Sequence, residues 1–192
     1  RWLDLPGLEK FKGQGVHTCA TCDGAFYKDK EIIVVGGGDS ACEEANFLTK
    51  FASKVYLVHR RDELRASKIM QKRIFNNPKI EIIWDTELKE YGGEGKLDKV
   101  KLINNKTNEE SEMAIDGIFL ALGHIPNTDI FQGKIDLDDH GYIISTDGET
   151  NLEGVYAAGD VFDTKYRQAI TAAGSGCKAA INAERFLEAK ED

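Results

Sequence analysis

Short apolar runs alternate with amphipathic stretches along most of the chain. Glu31–Val35 is a run of mainly β-branched residues, which is typical of a strand buried on both faces of a parallel sheet. Three glycines follow it, and the apolar positions after them recur at helical spacing on one face, which comprises Ala41, Ala45, Leu48 and Ala52. This order of strand, glycine turn and helix predicts the start of a βαβ unit.

The same alternation predicts further elements of an α/β fold. A second helix is predicted over 63–75 and is stopped by Asn76-Asn77-Pro78. Residues 86–116 are polar and contain glycine and asparagine turns, which predicts a meander. Residues 1–30 are polar and rich in turn residues. Buried strands are predicted from the apolar runs at 55–58, 80–84 and 117–122.

A break in the pattern at residues 124–127, which read His-Ile-Pro-Asn, predicts a domain boundary. Residues 1–123 would form one domain and residues 124–192 would belong to a second. The second domain is expected to contain strands at 142–146 and 154–158 and an alanine-rich helix from about 167 to 189.

Composition and charge exclude several classes of protein. The chain is 41% hydrophobic, and no apolar run approaches the roughly 18 residues needed to cross a bilayer, so no membrane association is expected. The net charge of -8 argues against a nucleic-acid partner, because the phosphate backbone requires a basic surface. Four cysteines are too few for a disulfide scaffold, so a reducing, cytoplasmic location is expected. The chain begins at Arg1 without methionine, so a targeting segment ahead of it would not be visible.

A glycine motif indicates a dinucleotide site. Gly36, Gly38 and Ala41 fit the pattern G-x-G-x-x-A after a predicted strand and at the start of a predicted helix. The first glycine allows the tight turn, the second lets the backbone approach a pyrophosphate, and the small third residue lets helix and strand pack closely. The phosphates would then meet backbone N–H groups at the helix N-terminus. A purely structural glycine turn is the alternative.

The residues after the next strand predict which dinucleotide binds. An NAD site usually ends this strand with an acid for the ribose 2′-hydroxyl, whereas here it ends in His59-Arg60-Arg61, with Arg65 following. Guanidinium groups bind a 2′-phosphate in bidentate fashion, and an acid would repel it. The stretch 54–73 carries seven basic and two acidic residues, a pattern that also occurs on solvated helix faces. Together these residues favour NADPH over NADH.

Two cysteines lie three positions apart in the run HTCATCDGAF. As a redox pair, Cys19 and Cys22 would close a small ring, and Asp23 could donate a proton when a thiolate leaves. An Asp-Gly turn is the alternative role for Asp23. A zinc site would need two further ligands, with His17 the only candidate nearby, so no metal site is predicted. The other two cysteines are expected to be small core residues, Cys42 and Cys177.

A further motif, GVYAAGDVFD, precedes the last helix. A strand that ends in Gly-Asp would present Asp160 to a ribityl hydroxyl or to a phosphate-bound water. Gly174 and Gly176 lie inside the predicted helix, where each costs about 1 kcal/mol relative to alanine. That cost suggests the close approach of a ligand or a neighbouring backbone, with ordinary helix packing as the alternative.

In this order the motifs resemble those of bacterial-type, low-molecular-weight thioredoxin reductases. The matching segments run through essentially the whole chain: CATCDG, GGGDSA, HRRDELRAS, GHIPN, YAAGDV and YRQAITAAGSGC. The resemblance implies a Rossmann-like NADPH-binding domain over 1–123 that carries the cysteine pair. Residues 124–192 would be the C-terminal segment of a second Rossmann-like domain, which binds FAD. The implied activity is reduction of thioredoxin by NADPH through FAD, in a protein that is a homodimer when complete.

The resemblance also implies a role for each motif residue. Cys22 would exchange electrons with the flavin, Cys19 would attack the substrate disulfide, and Asp23 would protonate the thiolate near the flavin. The pyrophosphate and ribose of NADPH would be held by Gly36, Gly37, Gly38, Asp39, Ser40 and Ala41. The 2′-phosphate would be surrounded by His59, Arg60, Arg61 and Arg65. FAD would be contacted by Asp160, Val161, Arg167, Gln168 and Ala169.

The N-terminal lobe of the family, with its own glycine motif for FAD, is not part of this sequence. The apolar faces of the FAD segment are therefore expected to be exposed, whereas the NADPH domain would hold a complete core. Two alternatives stay open. The chain alone would be an NADP-binding module without turnover, or its acceptor would be another disulfide protein, such as a peroxiredoxin-type partner.

Overall fold

The computed structural model describes residues 1–191, and within that range the chain forms eight strands, five α-helices and three 3₁₀ helices. The strands are β1 (Val16–His17), β2 (Glu31–Val35), β3 (Lys54–Val58), β4 (Ile80–Ile83), β5 (Thr86–Gly92), β6 (Lys99–Asn104), β7 (Glu110–Ala114) and β8 (Gly117–Leu120). The α-helices are α1 (Leu8–Phe11), α2 (Ala20–Asp23), α3 (Asp39–Leu48), α4 (Lys68–Phe75) and α5 (Ala169–Glu191). The 3₁₀ helices are Gly24–Tyr27, Asp129–Phe131 and Gly159–Val161.

The chain folds as two compact units, Arg1–Gly123 and His124–Asp192. A parallel five-stranded sheet forms the centre of the first unit, in the order β1-β8-β2-β3-β4. β2 pairs with both β3 and β8, so Val34 lies between Leu57 and Phe119. The predicted α/β fold with buried parallel strands is confirmed.

The side chains of β2 alternate between two core layers, because successive residues of a strand point to opposite faces. Ile32 and Val34 pack with residues of α3 and α4. Ile33 and Val35 pack with residues of a second, antiparallel sheet in the order β5-β6-β7. The meander predicted over 86–116 is confirmed as this second sheet.

Two helices of the first unit are shorter than predicted. α3 ends at Leu48, and Ala52 is buried outside the helix. α4 begins at Lys68 rather than at residue 63, because the backbone before it bonds elsewhere: the N–H of Arg65 donates to the carbonyl oxygen of Gly37 at 2.7 Å.

The first 30 residues contain more regular structure than predicted. β1 adds an edge strand to the parallel sheet, with Val16 opposite Ile118. A strand of two residues is too short to show a hydrophobic period, so the sequence does not indicate it. The backbone nitrogen of Arg1 lies 3.5 Å from the carbonyl oxygen of Gly123, so these two residues are neighbours in space.

The second unit has a small core formed by Ile135, Ile143 and Ala157. The strands predicted at 142–146 and 154–158 are wrong, because the described residues there form only isolated bridges. Asp147 and Gly148 both adopt positive φ, so the chain reverses between Thr146 and Glu149 and leaves no length for a ladder.

The long C-terminal helix is confirmed, but it begins at Ala169. Arg167 has a φ of 49°, in the left-handed region, and therefore lies outside the helix. Within residues 1–191, no helix combines the length and the apolar character that crossing a bilayer requires.

Candidate redox and dinucleotide site

The turn between β2 and α3 contains two glycines at which other parts of the chain occupy the position of a side chain. Gly36 has a φ of 152°, and a Cβ there would lie 2.7 Å from both the carbonyl oxygen of Ala121 and the Cβ of Ala41. A Cβ at Gly37 would lie 2.2 Å from the ring of His59. These two glycines allow close packing of the turn against its neighbours.

Gly38 differs from the other two, because a Cβ there would meet no described atom within 4 Å. Gly38 is also the N-cap of α3, and it has no side chain to bond the first amides of the helix. An open space before uncapped N–H groups is the arrangement that binds phosphate at a helix N-terminus.

The segment that carries the arginines is bonded to this turn. The carbonyl oxygen of Gly37 accepts hydrogen bonds from the N–H groups of Arg65 (2.7 Å) and Ala66 (3.2 Å). Asp39 Oδ1 accepts from the N–H of Ser67 at 2.9 Å and from its hydroxyl at 2.8 Å. Those bonds from Ser67 lower the pKa of Asp39. The glycine turn and the arginine segment therefore form one structure.

Arg60, Arg61 and Arg65 are exposed, and none of them forms an ion pair with an acidic side chain in the described part of the chain. The nearby carboxylate of Asp62 is instead paired with Lys106 at 2.9 Å. Three guanidinium groups are thus available to an anion beside the glycine turn.

His59 does not share the exposure of these arginines. Its side chain is buried beneath Gly37, and its Nε2 has no hydrogen-bond partner among the described residues. Burial, followed by the charges of the three arginines, lowers the pKa of His59. A neutral buried ring supports the turn by packing and adds no positive charge to the patch.

Cys19 and Cys22 form a disulfide at the start of α2. Cys19 is the N-cap of this helix, and its Sγ accepts a hydrogen bond from the N–H of Cys22 at 3.2 Å. Cys19 is half-buried and Cys22 is exposed, so both sulfurs are within reach of the surface of the unit.

The other two cysteines differ from each other. Cys42 is buried, as expected, whereas Cys177 is exposed, so its assignment to the core was wrong. Among residues 1–191, no group of three or more His, Cys, Asp or Glu side chains could hold a metal ion.

Asp23 has a partner that the sequence does not indicate. Its Oδ2 lies 3.0 Å from Nδ1 of His17, whose Nε2 lies 2.7 Å from the hydroxyl of Tyr27. The sequence offers His17 only as a zinc candidate, since its contacts depend on the unrecognised strand β1. Asp23 is thus part of a hydrogen-bonded row rather than only a turn residue.

The predicted FAD residues lie in the second unit, around a loop built on Asp163. The carboxylate of Asp163 accepts hydrogen bonds from the N–H groups of Lys165, Tyr166 and Arg167. These bonds lower the pKa of Asp163 against the opposing effect of desolvation, which is its largest single influence. The loop ends at Gln168 and Ala169, where α5 begins.

Two features of this loop region bear on ligand binding. The Nε of Arg167 is buried without a hydrogen-bond partner among the described residues, whereas Asp160 is exposed and Val161 half-buried in the 3₁₀ helix Gly159–Val161. A Cβ at Gly174 or Gly176 would meet no described atom within 4 Å. Close packing by the described chain therefore does not explain the two helix glycines.

Comparison with known proteins identifies the family. The profile of the family described as pyridine nucleotide-disulphide oxidoreductase matches residues 1–176. The chain belongs to this family. The thioredoxin reductase of Streptomyces clavuligerus is 55% identical over 194 residues, which cover 100% of this chain and 60% of that protein.

Solved structures agree with this membership. The thioredoxin reductase of Streptococcus pyogenes MGAS5005 has a TM-score of 0.94 at 43% identity, covering 98% of this chain and 62% of that one. The Giardia duodenalis enzyme has a TM-score of 0.89 at 46% identity, with the same coverage. The resemblance to thioredoxin reductases is confirmed, and the chain spans about 60% of the length of these relatives.

Membership of the pyridine nucleotide-disulphide oxidoreductases implies a flavin and a nicotinamide dinucleotide as cofactors. The residues of the first unit fit a dinucleotide, because the space at Gly38 is open and the three arginines beside it form no ion pair with a described acidic residue. The residues of the second unit fit a polar ligand through the unpartnered Nε of Arg167.

Proposed function

We propose that this chain carries the disulfide-reducing part of an NADPH-dependent, FAD-mediated thioredoxin reductase. One observation carries the proposal: a disulfide between Cys19 and Cys22 occurs in the same unit as a glycine turn open at Gly38. A dinucleotide site and a reducible sulfur pair in one domain are what electron transfer from a nicotinamide to a disulfide requires.

The choice of NADPH is supported by the arginine segment. Arg60, Arg61 and Arg65 would bind the 2′-phosphate, and Gly36 to Ala41, with Asp39 and Ser40, would hold the pyrophosphate and ribose. His59 would support the turn from beneath, because its ring is buried against Gly37.

The cysteine pair would carry the electrons to the substrate. Bound flavin would supply two-electron transfer between the nicotinamide and the disulfide. Cys22, which is exposed on its unit, would lie on the flavin side, and Asp23 would protonate its thiolate. Cys19 would then attack the thioredoxin disulfide, and Cys22 would resolve the mixed disulfide and release reduced thioredoxin.

The second unit would contribute to FAD binding through the loop that follows Asp160 and Val161. Arg167, Gln168 and Ala169 would contact the cofactor, and the unpartnered Nε of Arg167 supports this role. Thioredoxin is the proposed partner, since it is the substrate in the names of the relatives. A homodimer of the complete protein and a cytoplasmic location are part of the same proposal.

The visible spectrum of the purified chain, recorded without oxygen before and after NADPH is added, tests this function. A yellow protein that NADPH bleaches and that thioredoxin then re-oxidises is the expected result. A Cys19→Ser variant should still be bleached by NADPH but should not be re-oxidised by thioredoxin. Re-oxidation of that variant at the wild-type rate would remove Cys19 from its role.

A second candidate, an NADP-binding module without turnover, is favoured by the exposure of large apolar side chains in the second unit. These side chains are Ile125, Ile130, Ile144, Ile170 and Leu187. A colourless chain that still binds NADPH would overturn the main proposal for this chain and support the module. The same re-oxidation experiment with a peroxiredoxin-type disulfide protein in place of thioredoxin distinguishes the two acceptors.

A further inference from the structure

A row of three hydrogen-bonded side chains includes the residue that directly follows Cys22 in the sequence, and the proposed function uses only one of its members. His17 Nδ1 is 3.0 Å from Oδ2 of Asp23, and His17 Nε2 is 2.7 Å from the hydroxyl of Tyr27. His17 and Tyr27 are each 7% exposed, whereas the side chain of Asp23 is 31% exposed. Asp23, which is the most exposed of the three side chains, directly follows Cys22 in the sequence.

Packing fixes the middle of this row. His17 lies on β1 opposite Phe119 of β8, and the two rings stack with centroids 5.2 Å apart. Tyr27 meets both rings edge-on and fills the space over Gly117, where a Cβ would lie 2.2 Å from the Tyr27 ring. The imidazole therefore has little freedom to turn, and its two nitrogens keep their partners.

The partners of the two ring nitrogens of His17 indicate which nitrogen carries the proton. Burial, followed by the charges of Asp23 and Asp116, raises the pKa of Tyr27 to about 12, and the ammonium of Lys30 lies 5.5 Å from the centre of its ring. The phenol therefore keeps its proton and can donate a hydrogen bond to Nε2. A carboxylate only accepts hydrogen bonds, so the Nδ1–H tautomer of His17 satisfies both contacts: Nδ1–H donates to Asp23 and Nε2 accepts from Tyr27.

We infer that His17 is a positioning residue that holds the Asp23 carboxyl group and offsets its charge beside Cys22. The inference rests on the roles proposed for Cys22 and Asp23. When a dithiol reductant opens the disulfide, one of its sulfurs attacks as a thiolate and forms a bond to the Cys19 sulfur. The Cys19–Cys22 bond breaks, and Cys22 leaves as a thiolate with the electron pair. Asp23 passes a proton taken up from solvent to Cys22, which becomes a thiol, and Asp23 ends the step as the carboxylate that accepts the Nδ1–H of His17. The second thiol of the reductant then displaces Cys19, which takes up a proton, and the reductant closes to a disulfide.

The test uses the complete chain with its disulfide reduced by dithiothreitol. The rate of Cys22 alkylation by iodoacetamide is measured against pH, with peptide mass spectrometry to separate Cys22 from the other cysteines. Without His17, the carboxylate of Asp23 loses a hydrogen-bond donor, so its negative charge disfavours the Cys22 thiolate more strongly. His17→Ala should therefore raise the midpoint of the pH–rate profile by about one pH unit. At pH values below that midpoint, alkylation of Cys22 should be about tenfold slower than in the wild type.

Two comparisons separate positioning from a merely structural role. His17→Asn should restore alkylation to within about twofold of wild type, because its amide N–H can take the place of Nδ1–H, whereas His17→Gln should not. In an Asp23→Asn background, His17→Ala should have no further effect on the midpoint. His140→Ala, an exposed histidine of the second unit, is the matched control and should leave the profile unchanged.

An equal effect of His17→Ala with and without Asp23 would overturn the inference, as would an Asn variant that behaves like the Ala variant. Far-ultraviolet circular dichroism identifies a variant that does not fold. In that case Tyr27→Phe is measured instead. Without the hydroxyl, the proton of His17 can move to Nε2, so the midpoint should shift upward by less than in His17→Ala. Such a shift supports the inference, and an unchanged midpoint overturns it. Alkylation needs neither cofactor, so a failure of the proposed function in the spectral test is distinguished from a failure here.

Discussion

The three consecutive glycines show that one residue type can meet different needs at adjacent positions. Gly36 and Gly37 are required by the chain itself, since a Cβ at either would overlap Ala121 or the ring of His59. Gly38 has an extended backbone, with φ at -94° and ψ at -177°, and a Cβ there would meet no described atom within 4 Å. The lack of a side chain at Gly38 is therefore not needed for folding and is needed only when a ligand occupies this space.

Gly38→Ala should leave the folded chain intact and impair its ligand binding. We expect a melting temperature within about 2 °C of wild type, because the added methyl group enters open space, and an NADPH dissociation constant raised by about tenfold or more. Gly37→Ala is the matched control: overpacking against His59 should cost about 1–3 kcal/mol of unfolding free energy. Thermal unfolding and NADPH titration measure both. Unchanged NADPH affinity in Gly38→Ala would show that the space at Gly38 is not the pyrophosphate site.

At the scale of elements, the connection between β3 and α4 is held in place by residues of another element. Asp39 at the start of α3 accepts two hydrogen bonds from Ser67, immediately before α4. The carbonyl of Gly37 binds the same connection at Arg65. The arginines therefore depend for their position on bonds distant in sequence.

Ser67→Ala should weaken NADPH binding about two- to fivefold, because it removes the hydroxyl donor that helps hold Arg65 beside the turn. NADH should be affected less, since it has no 2′-phosphate for the arginines to bind. Ser67→Thr retains the hydroxyl and serves as the control. Dissociation constants for both dinucleotides measure the effect, and equal weakening of NADPH and NADH would contradict it.

The same elements show what the sequence predicts and what it cannot. β2, β3 and β8 are evident because a buried parallel strand is a continuous apolar run, and the glycine turn is evident because its motif is local. The start of α4 is not, since the helical pattern from residue 63 is overridden by bonds to Gly37 and Asp39.

Two failures have the same physical origin. The pairing of His17 with Asp23 depends on the edge strand β1, which only the partner β8 makes regular. Residues 142–146 and 154–158 have strand-like composition, but strands need hydrogen-bonded neighbours, and the described residues offer them only isolated bridges. A local sequence pattern does not show which distant strand a segment pairs with.

At the scale of the whole molecule, the two units differ in how much apolar surface they bury. The first has two extensive clusters of buried side chains, whereas among the described residues of the second a cluster of three buried apolar side chains forms the core. Its exposed large side chains include Ile130 (77%) and Ile170 (80%). Such a surface binds other apolar groups readily.

A chain cut after Gly123 should unfold cooperatively on its own. It should also bind a hydrophobic dye such as ANS several-fold less than the 192-residue chain does, because the exposed apolar residues are concentrated in the second unit. Residues 124–192 alone should show no cooperative transition, since about 5–15 kcal/mol of stability is typical of a domain and so small a core supplies little of it. Calorimetry and dye fluorescence measure both fragments. Equal dye binding by the first fragment and the complete chain would contradict this distribution.

Arg1 and Gly123, the bounds of the first unit, lie close together in space. A polypeptide whose two ends touch can be joined head to tail, or grafted into a surface turn of an unrelated host, without stretching any strand of its sheet. Circular permutation of the first unit would thus move its ends to another turn while every strand kept its neighbours.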